Sequence, residues 1–170
     1  MNIRADIQFL RGIAVLLVVF YHASFSLFEG GYMGVDVFFV ISGFLITGLI
    51  KKGIEVNTFT FSGFYYRRAK RLLPAAYTTF LVTCVLAYFL LTTQELSDFY
   101  DSMIGAVTFT ANMVLWGQGT YFGVESDLKP LLHTWSLSVE EQYYLIVPAI
   151  MVFTPRRFWS PALLVAFFAS

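Results

Sequence analysis

Apolar runs, each about as long as a bilayer is thick, dominate this 170-residue sequence. A helix needs about 20 apolar residues, with a range of roughly 17 to 25, to cross the hydrocarbon core. Hydrophobic residues make up 58% of the chain and charged residues 13%, whereas soluble domains have about 45–50% and about 25%. The sequence therefore predicts an all-α integral membrane protein, a multi-span helical bundle, with spans near 7–28, 34–50, 74–91 and 135–154.

Two further apolar stretches do not fit this simple pattern. Residues 99–116 follow a polar loop at 92–98 and form a shorter, weaker stretch that contains Ser102, Thr108, Thr110 and Asn112. Another apolar run starts near Phe158 and is incomplete at residue 170. We therefore expect this sequence to be the N-terminal part of a longer membrane domain. The formal net charge is zero, so bulk charge carries no information on partners. We expect no nucleic-acid partner and no metal site.

Basic residues orient the spans. The segment between the second and third spans holds six of them, Lys51, Lys52, Arg67, Arg68, Lys70 and Arg71, and the positive-inside rule places it in the cytoplasm. Residues 61–73 of this segment predict a short amphipathic helix, and Pro74 suits the first turn of the third span. The N-terminus is then cytoplasmic.

Arg156 and Arg157 place the far end of the 135–154 span in the cytoplasm as well. A full crossing by residues 99–116 would place the start of the 135–154 span inside, and one resolution of this conflict is that residues 99–116 do not cross the membrane; a short span there is the alternative. We therefore expect a re-entrant or half-buried helix there, because such backbone is tolerated where protein covers it.

The first span carries two ionisable residues on one face. Arg11 and His22 are eleven residues apart, which puts them within roughly 20° of each other around the helix and about 16 Å apart along it. Ionisable residues at membrane depth usually face a protein interior or a wet cavity. The alternative is that Arg11 reaches lipid phosphates and His22 lies at the outer interface.

The segment "RRAKRLLP" concentrates cations before the third span. Arg68 and Arg71 are three residues apart, so they are neighbours on one helix face. Arginine forks bind phosphate in a bidentate way that lysine does not. A phosphate-rich cofactor and an anchor on anionic lipid both fit this pattern.

The segment "LLHTWSLSVEEQYYLIVP" puts two carboxylates at the entrance of a span. Glu140 and Glu141 are about 100° apart on a helix. Ser138 and Glu141 match a capping box, which predicts a structural role for Glu141 and leaves Glu140 as the better functional candidate. His133 and Trp135 lie just before the span, at the interface.

Asp36 opens the second span on the outer side, close in sequence to His22 through a short turn. Its carboxylate is therefore placed to orient the imidazole. The alternative is a first-turn acid that the helix dipole favours.

Four motifs together resemble one family. They are Arg11-x10-His22, "GYMGVDVFFVISGFLIT", "FYYRRAKRLLPA" and "PLLHTWSLSVEEQYYLIVP", and in this order they closely resemble the acyltransferase-3 family of integral membrane acyltransferases. The likeness covers residues 5–155 and is greatest to the bacterial branch that O-acetylates O-antigen or peptidoglycan. One departure is "ANMVLWGQG", where relatives carry more aromatic residues.

The resemblance implies a domain of about ten spans in the inner (cytoplasmic) membrane. Such a domain moves an acyl group, usually acetyl, from cytoplasmic acyl-CoA to a carbohydrate hydroxyl, with no permanently bound cofactor. The lipid bilayer, acyl-CoA and the carbohydrate acceptor are the expected partners, and an SGNH-type periplasmic domain often follows.

The resemblance also implies roles for individual residues. Arg11 and His22 are the expected essential pair, Arg68 and Arg71 form the cytoplasmic Arg-x-x-Arg motif, and Glu140 falls in the acidic motif. The three arginines would hold the CoA phosphates, and His22 would act as general base with Glu140 or Asp36 orienting it. Residues of a second tier are Glu141, His133, Trp135 and Ser42.

Three alternatives stay open on the sequence alone. His22 either acts as a base or is itself acylated in a two-step transfer. A glycan or lipid transporter would use the same intramembrane charges as a pathway. A membrane anchor or sensor would have its activity in another domain.

Overall fold

A computed structural model describes residues 5–23, 30–118 and 129–168. The secondary structure of these residues is entirely helical, which confirms the all-α class. The chain divides into two compact units, Met1–Lys52 and Gly53–Ser170.

Seven α-helices follow one another along the described chain. In order they are α1 (Ala5–His22), α2 (Met33–Glu55), α3 (Phe61–Leu90), α4 (Thr93–Val107), α5 (Ala111–Gly117), α6 (Thr134–Phe153) and, after a short 3₁₀ turn at Arg156–Phe158, α7 (Trp159–Phe168).

Three of the described helices, α1, α2 and α3, are long and apolar enough to cross a membrane. Fewer than a quarter of the residues in their apolar windows are buried inside the protein. Large side chains such as Leu16, Val40 and Phe89 are exposed, as lipid-facing surfaces require.

In the first unit, α2 approaches the backbone of α1 at Gly34. A Cβ atom on Gly34 would lie 2.5 Å from the carbonyl oxygen of Ala14 and 2.9 Å from Val18 Cγ2. Glycine is therefore required for this close approach, as small residues are at helix interfaces in membranes.

Helix α3 is one continuous helix of 30 residues, so the prediction of a separate amphipathic helix ending at Pro74 is wrong. Thr60 starts the helix, because its side chain accepts a hydrogen bond from the backbone N–H of Gly63. Pro74 lies inside α3, at a cost of about 3 kcal/mol. Phe64 and Phe80, on either side of the proline, are buried, so both halves of α3 are packed against the protein.

The core of the second unit forms between α3, α4 and the segment before α6. Its buried members are Ala76, Phe80, Ala87, Phe99, Ala106 and Leu131. This core fixes α4 against α3 and so determines where the chain leaves α4.

Helix α4 begins in the segment that the sequence predicts as a polar loop. A capping box explains the difference: the Thr92 side chain accepts from the backbone N–H of Glu95, and the Glu95 carboxylate accepts from the backbone N–H of Thr92 at 2.8 Å. Two otherwise unpaired backbone donors are satisfied in this way.

Residues 99–116 are divided between α4 and α5 by a sharp corner. Phe109 at this corner has a φ of 56°, in the left-handed region that non-glycine residues seldom adopt. Helix α5 has only seven residues, so no single helix spans the stretch. Whether the stretch enters the membrane without crossing it stays a prediction.

Helix α6 begins at Thr134 and ends at Phe153, before Pro155. The Trp159 indole N–H lies 2.9 Å from the carbonyl oxygens of both Met151 and Thr154. This contact satisfies carbonyls at the end of α6 that have no partner within the helix, and it ties α7 to α6.

Candidate functional site

A cavity of about 340 Å³ lies within the second unit, between α3, the α4–α5 corner and α6. Apolar, hydroxyl, amide and charged side chains share its wall. They are Tyr65, Arg68, Thr108, Phe109, Thr110, Met113, Glu141, Gln142, Tyr144 and Leu145.

An ion pair joins α3 to α6 at this cavity. Arg68 Nη2 donates to Glu141 Oε1 at 2.9 Å, and the two side chains are 22% and 16% exposed. The predicted capping box of Ser138 and Glu141 is therefore wrong. Ser138 lies inside α6, where its hydroxyl donates to Thr134 O and accepts from the backbone N–H of Ala111.

Tyr144 supports the same guanidinium from a second side. The Arg68 Cζ atom lies 3.7 Å from the centre of the Tyr144 ring, within the range of a cation–π contact. The Tyr144 hydroxyl donates to Glu140 Oε1 in a short hydrogen bond. Glu140 thus contacts Arg68 only through the Tyr144 ring, whereas Glu141 accepts a hydrogen bond from the guanidinium directly.

One donor of Arg68 is buried without a partner. Its Nε atom is buried, and in the described part of the chain no acceptor lies within hydrogen-bond distance of it. An unpaired buried donor costs about 1–3 kcal/mol.

Amide side chains hold the α4–α5 corner against α6. Gln142 Nε2 donates to Phe109 O at 2.8 Å and to Asn112 Oδ1 at 2.9 Å. At the same corner the Thr108 and Thr110 hydroxyls are 2.8 Å apart. These bonds fix the unusual backbone of Phe109 and thereby the shape of the cavity.

The other predicted residues of the second unit lie outside the cavity wall. Arg71 is exposed on α3, as are its neighbours Arg67 and Lys70. His133 is exposed just before α6, and Trp135 in its first turn is half-buried.

In the first unit, His22 is the last residue of α1 and is exposed. Its Nδ1 atom lies 2.9 Å from the carbonyl oxygen of Val18. A carbonyl only accepts, so Nδ1 carries the proton, and in the neutral ring Nε2 is the basic nitrogen. Asp36 is exposed on α2 and makes no hydrogen bond to His22 among the described contacts, so Val18 supplies the orienting acceptor.

Arg11 lies on α1 with its Cζ atom 5.6 Å from the centre of the Phe38 ring. Because α1 is unbroken from Ala5 to His22, the helical spacing between Arg11 and His22 applies. Ser42 is buried on α2. The roles of these residues stay predictions.

Sequence reasoning missed the residues that build the cavity, Tyr65, Gln142 and Tyr144. One signal was present: Asn112 and Gln142 are amides within apolar stretches, and such groups usually bond to each other when water is absent. The Tyr65 hydroxyl, which donates to Leu145 O at 3.0 Å, gave no comparable signal.

Comparison with known proteins identifies one family and several relatives. The acyltransferase-3 family, described as an acyltransferase domain, matches residues 4–170. O-acetyltransferase OatA of Staphylococcus aureus (strain NCTC 8325) is 37% identical over 151 residues, which is 88% of this chain and 25% of OatA. An uncharacterized protein of Haemophilus influenzae is 39% identical over 123 residues, or 72% of this chain and 50% of that protein.

The chain thus spans about a quarter of OatA and half of the Haemophilus protein. No solved structure matches it. The family match covers nearly every residue, and three described helices are able to span a bilayer. The chain belongs to the acyltransferase-3 family of multi-pass membrane proteins.

Proposed function

We propose that this chain is part of an O-acyltransferase that moves an acyl group, acetyl in the first instance, from acyl-CoA to a hydroxyl of a cell-surface carbohydrate. The observation that carries the proposal is the acyltransferase-domain match over residues 4–170, together with 37% identity to an O-acetyltransferase. In this proposal the N-terminus is cytoplasmic and the membrane is the inner membrane.

The cationic face of α3 supports the donor side of the reaction. Arg67, Lys70 and Arg71 are exposed in the N-terminal half of α3. Exposed guanidinium groups bind phosphate oxygens through charge-assisted, bidentate hydrogen bonds. The phosphates of CoA are the ligand that this face fits.

His22 supports the chemical step. The Val18 carbonyl fixes the tautomer in which Nε2 is unprotonated, and this nitrogen takes the proton of the acceptor hydroxyl. The hydroxyl oxygen attacks the thioester carbonyl, the carbon–sulfur bond breaks, and the imidazolium returns its proton to the leaving thiolate. Direct transfer keeps the histidine unmodified throughout.

The alternative two-step route would acylate His22 first. Purified full-length protein incubated with radiolabelled acetyl-CoA and no acceptor distinguishes the two routes after a rapid quench. Label bound to wild-type protein but not to the His22→Ala variant would establish the two-step route, and unlabelled wild-type protein that still turns over supports direct transfer.

The test of the proposed function is made on cells. We expect surface glycans from cells with the full-length gene to be heavier by about 42 Da for each O-acetyl group, because one acetyl group replaces one hydroxyl hydrogen. Glycans from cells with the His22→Ala variant should lack this additional mass. Unchanged O-acetylation in a deletion strain, with altered glycan movement across the membrane, would contradict the proposal and favour a transporter. The family resemblance also leads us to expect an SGNH-type partner domain. Deleting that domain while keeping the membrane domain intact, and measuring O-acetylation of the glycans, tests this expectation.

A further inference from the structure

One turn of α6 supplies the described polar and cation–π contacts of the Arg68 guanidinium. Glu141 accepts a hydrogen bond from the Nη2 atom at 2.9 Å, and the centre of the Tyr144 ring lies 3.7 Å from the Cζ atom. Glu140 contacts this guanidinium indirectly, because it accepts a hydrogen bond from the Tyr144 hydroxyl. Three residues of one short segment therefore hold a single arginine of α3.

The geometry of an α-helix explains how two adjacent carboxylates serve one guanidinium. Glu140 and Glu141 are about 100° apart around α6. Tyr144 lies between them, about 40° from Glu140 and about 60° from Glu141. The aromatic ring therefore occupies the helix face between the two carboxylates, and Glu140, on the side away from Glu141, accepts from its hydroxyl.

These contacts orient the guanidinium and still leave donors for a ligand. Because a guanidinium is planar, a ring 3.7 Å from its carbon restricts how that plane turns, and the bond to Glu141 restricts its direction. Tyr144 is only 2% exposed, so the protein around it holds the ring in turn. The Nη1 donors and the second Nη2 hydrogen of Arg68 make no hydrogen bond in the described part of the chain, and Arg68 lines the cavity.

Arg68 and Arg71 are neighbours on one face of α3, three residues apart. A donor whose phosphates are bound by the exposed Arg71 therefore passes close to Arg68. We infer that Tyr144 and Glu140 are positioning residues for donor binding. Tyr144 holds the Arg68 guanidinium in the orientation that contacts acyl-CoA, and Glu140 acts through Tyr144.

This inference rests on the proposed function, since it takes acyl-CoA as the donor. It gives Glu140 a role in donor affinity, whereas the family resemblance leads to an expected role beside His22 in the chemical step. The two roles differ in kinetics. A contact made equally in the ground state and the transition state changes KM and leaves kcat intact, whereas a residue that orients the general base changes kcat.

The test combines calorimetry with acetyl-CoA and transfer of labelled acetyl from acetyl-CoA to surface glycan isolated from a deletion strain. Both measurements use the full-length protein in detergent. Tyr144→Leu removes the ring, Tyr144→Phe keeps the ring and removes its bond to Glu140, and Glu140→Gln keeps an acceptor without the charge. Tyr100→Leu is the matched control, because Tyr100 is exposed on α4 and is not part of the cavity wall.

We expect Tyr144→Leu to weaken acetyl-CoA binding and to raise its KM by about 5- to 30-fold, the upper range for a lost cation–π contact. The kcat value should stay within about twofold of wild type. Tyr144→Phe and Glu140→Gln should each weaken binding by about two- to fivefold, because the ring remains but its hydroxyl end is no longer held by a charged partner. Tyr100→Leu should bind acetyl-CoA as wild type does.

Two combinations separate positioning from a general loss of packing. Glu140→Gln and Tyr144→Phe break the same link, so the double variant should bind acetyl-CoA no more weakly than Tyr144→Phe alone. Adding Tyr144→Leu to Arg68→Met should cause no further loss, because the effect of the ring passes through the guanidinium. Thermal unfolding checks that each variant is folded, and Tyr144→Phe with Glu140→Gln decides the matter if Tyr144→Leu is not.

Three results would overturn the inference while leaving the proposed function intact. The first is unchanged acetyl-CoA affinity in the folded Tyr144 variants. The second is tighter binding in Glu140→Gln, which would show that the Glu140 charge repels the donor instead of acting through Tyr144. The third is a loss of kcat in Glu140→Gln with KM unchanged, which would place Glu140 in the chemical step. Wild-type protein that neither binds acetyl-CoA nor transfers acetyl would overturn the proposed function and the inference with it.

Discussion

Removing the charge of Glu141 should destabilise the protein more than removing that of an exposed carboxylate. In Glu141→Gln the Arg68 guanidinium loses its counter-charge. The two side chains are 22% and 16% exposed, so the pair lies between an exposed pair, worth about 0–1 kcal/mol, and a buried pair, whose disruption costs about 3–5 kcal/mol. We therefore expect a loss of about 1.5–3 kcal/mol in the free energy of unfolding.

The assay is a double-mutant cycle on the full-length protein in detergent, with chemical denaturation of Glu141→Gln, Arg68→Met and the double variant. Met keeps much of the length of the arginine stem. The contact of the Arg68 guanidinium with Tyr144 is lost in both the Arg68→Met variant and the double variant, so the cycle isolates the interaction with Glu141. Glu55→Gln is the matched control, since Glu55 is an exposed carboxylate at the end of α2. A coupling energy below about 0.5 kcal/mol would refute the reasoning and show that the pair contributes no more than a surface contact.

Three further predictions concern other parts of the chain. His22→Ala should lower kcat by about 10²–10⁴-fold with little change in acetyl-CoA affinity, and calorimetry with turnover on the purified variant checks this. Gly34→Ala should cost about 1–3 kcal/mol, because the new Cβ would meet the Ala14 carbonyl, whereas Gly48→Ala on the same helix has open space; equal unfolding midpoints would contradict it. Hydrogen bonds from the backbone and side chain of Thr92 lower the pKa of Glu95 below its ordinary value of 4.5, so the stabilisation of α4 by Glu95 is present above pH 4.5 and is lost as pH falls through the lowered pKa. Amide exchange in the first turn of α4 should show this pH dependence, and Glu95→Gln should abolish the pH dependence.

The helical class and the long apolar helices could be predicted from the sequence because both depend on local composition and length. Residues that usually mark the ends of helices predicted the helix boundaries less reliably. Pro74 predicted a helix start, but α3 continues on both sides of it, with Phe64 buried in one half and Phe80 in the other. The capping box was assigned to Ser138 and Glu141, whereas the structure has one at Thr92 and Glu95.

The site shows the same division between local and distant information. The sequence brought Arg68 forward because arginine clusters are visible along the chain. It gave no information on the partner of Arg68, since Glu141 is 73 residues away. The reason for preferring Glu140 was an assumed cap on Glu141, and that reason fails once α6 is seen to start at Thr134. The cavity depends on a left-handed Phe109, which no residue preference indicates.

The unbroken course of α3 has a mechanical consequence. Thirty helical residues extend about 45 Å, whereas the hydrocarbon core is about 30 Å thick. The excess of about 15 Å includes the N-terminal segment of α3 that carries Arg68 and Arg71, and Pro74, a residue type at which helices kink, separates this segment from the apolar part of the helix. A longer span accommodates a thinner bilayer by tilting, and such a tilt moves both arginines, because they lie one turn apart on the same segment. Under the proposed function, acetyl-CoA affinity should therefore respond to the acyl-chain length of the surrounding lipid, as binding measured in bilayers of different thickness would show.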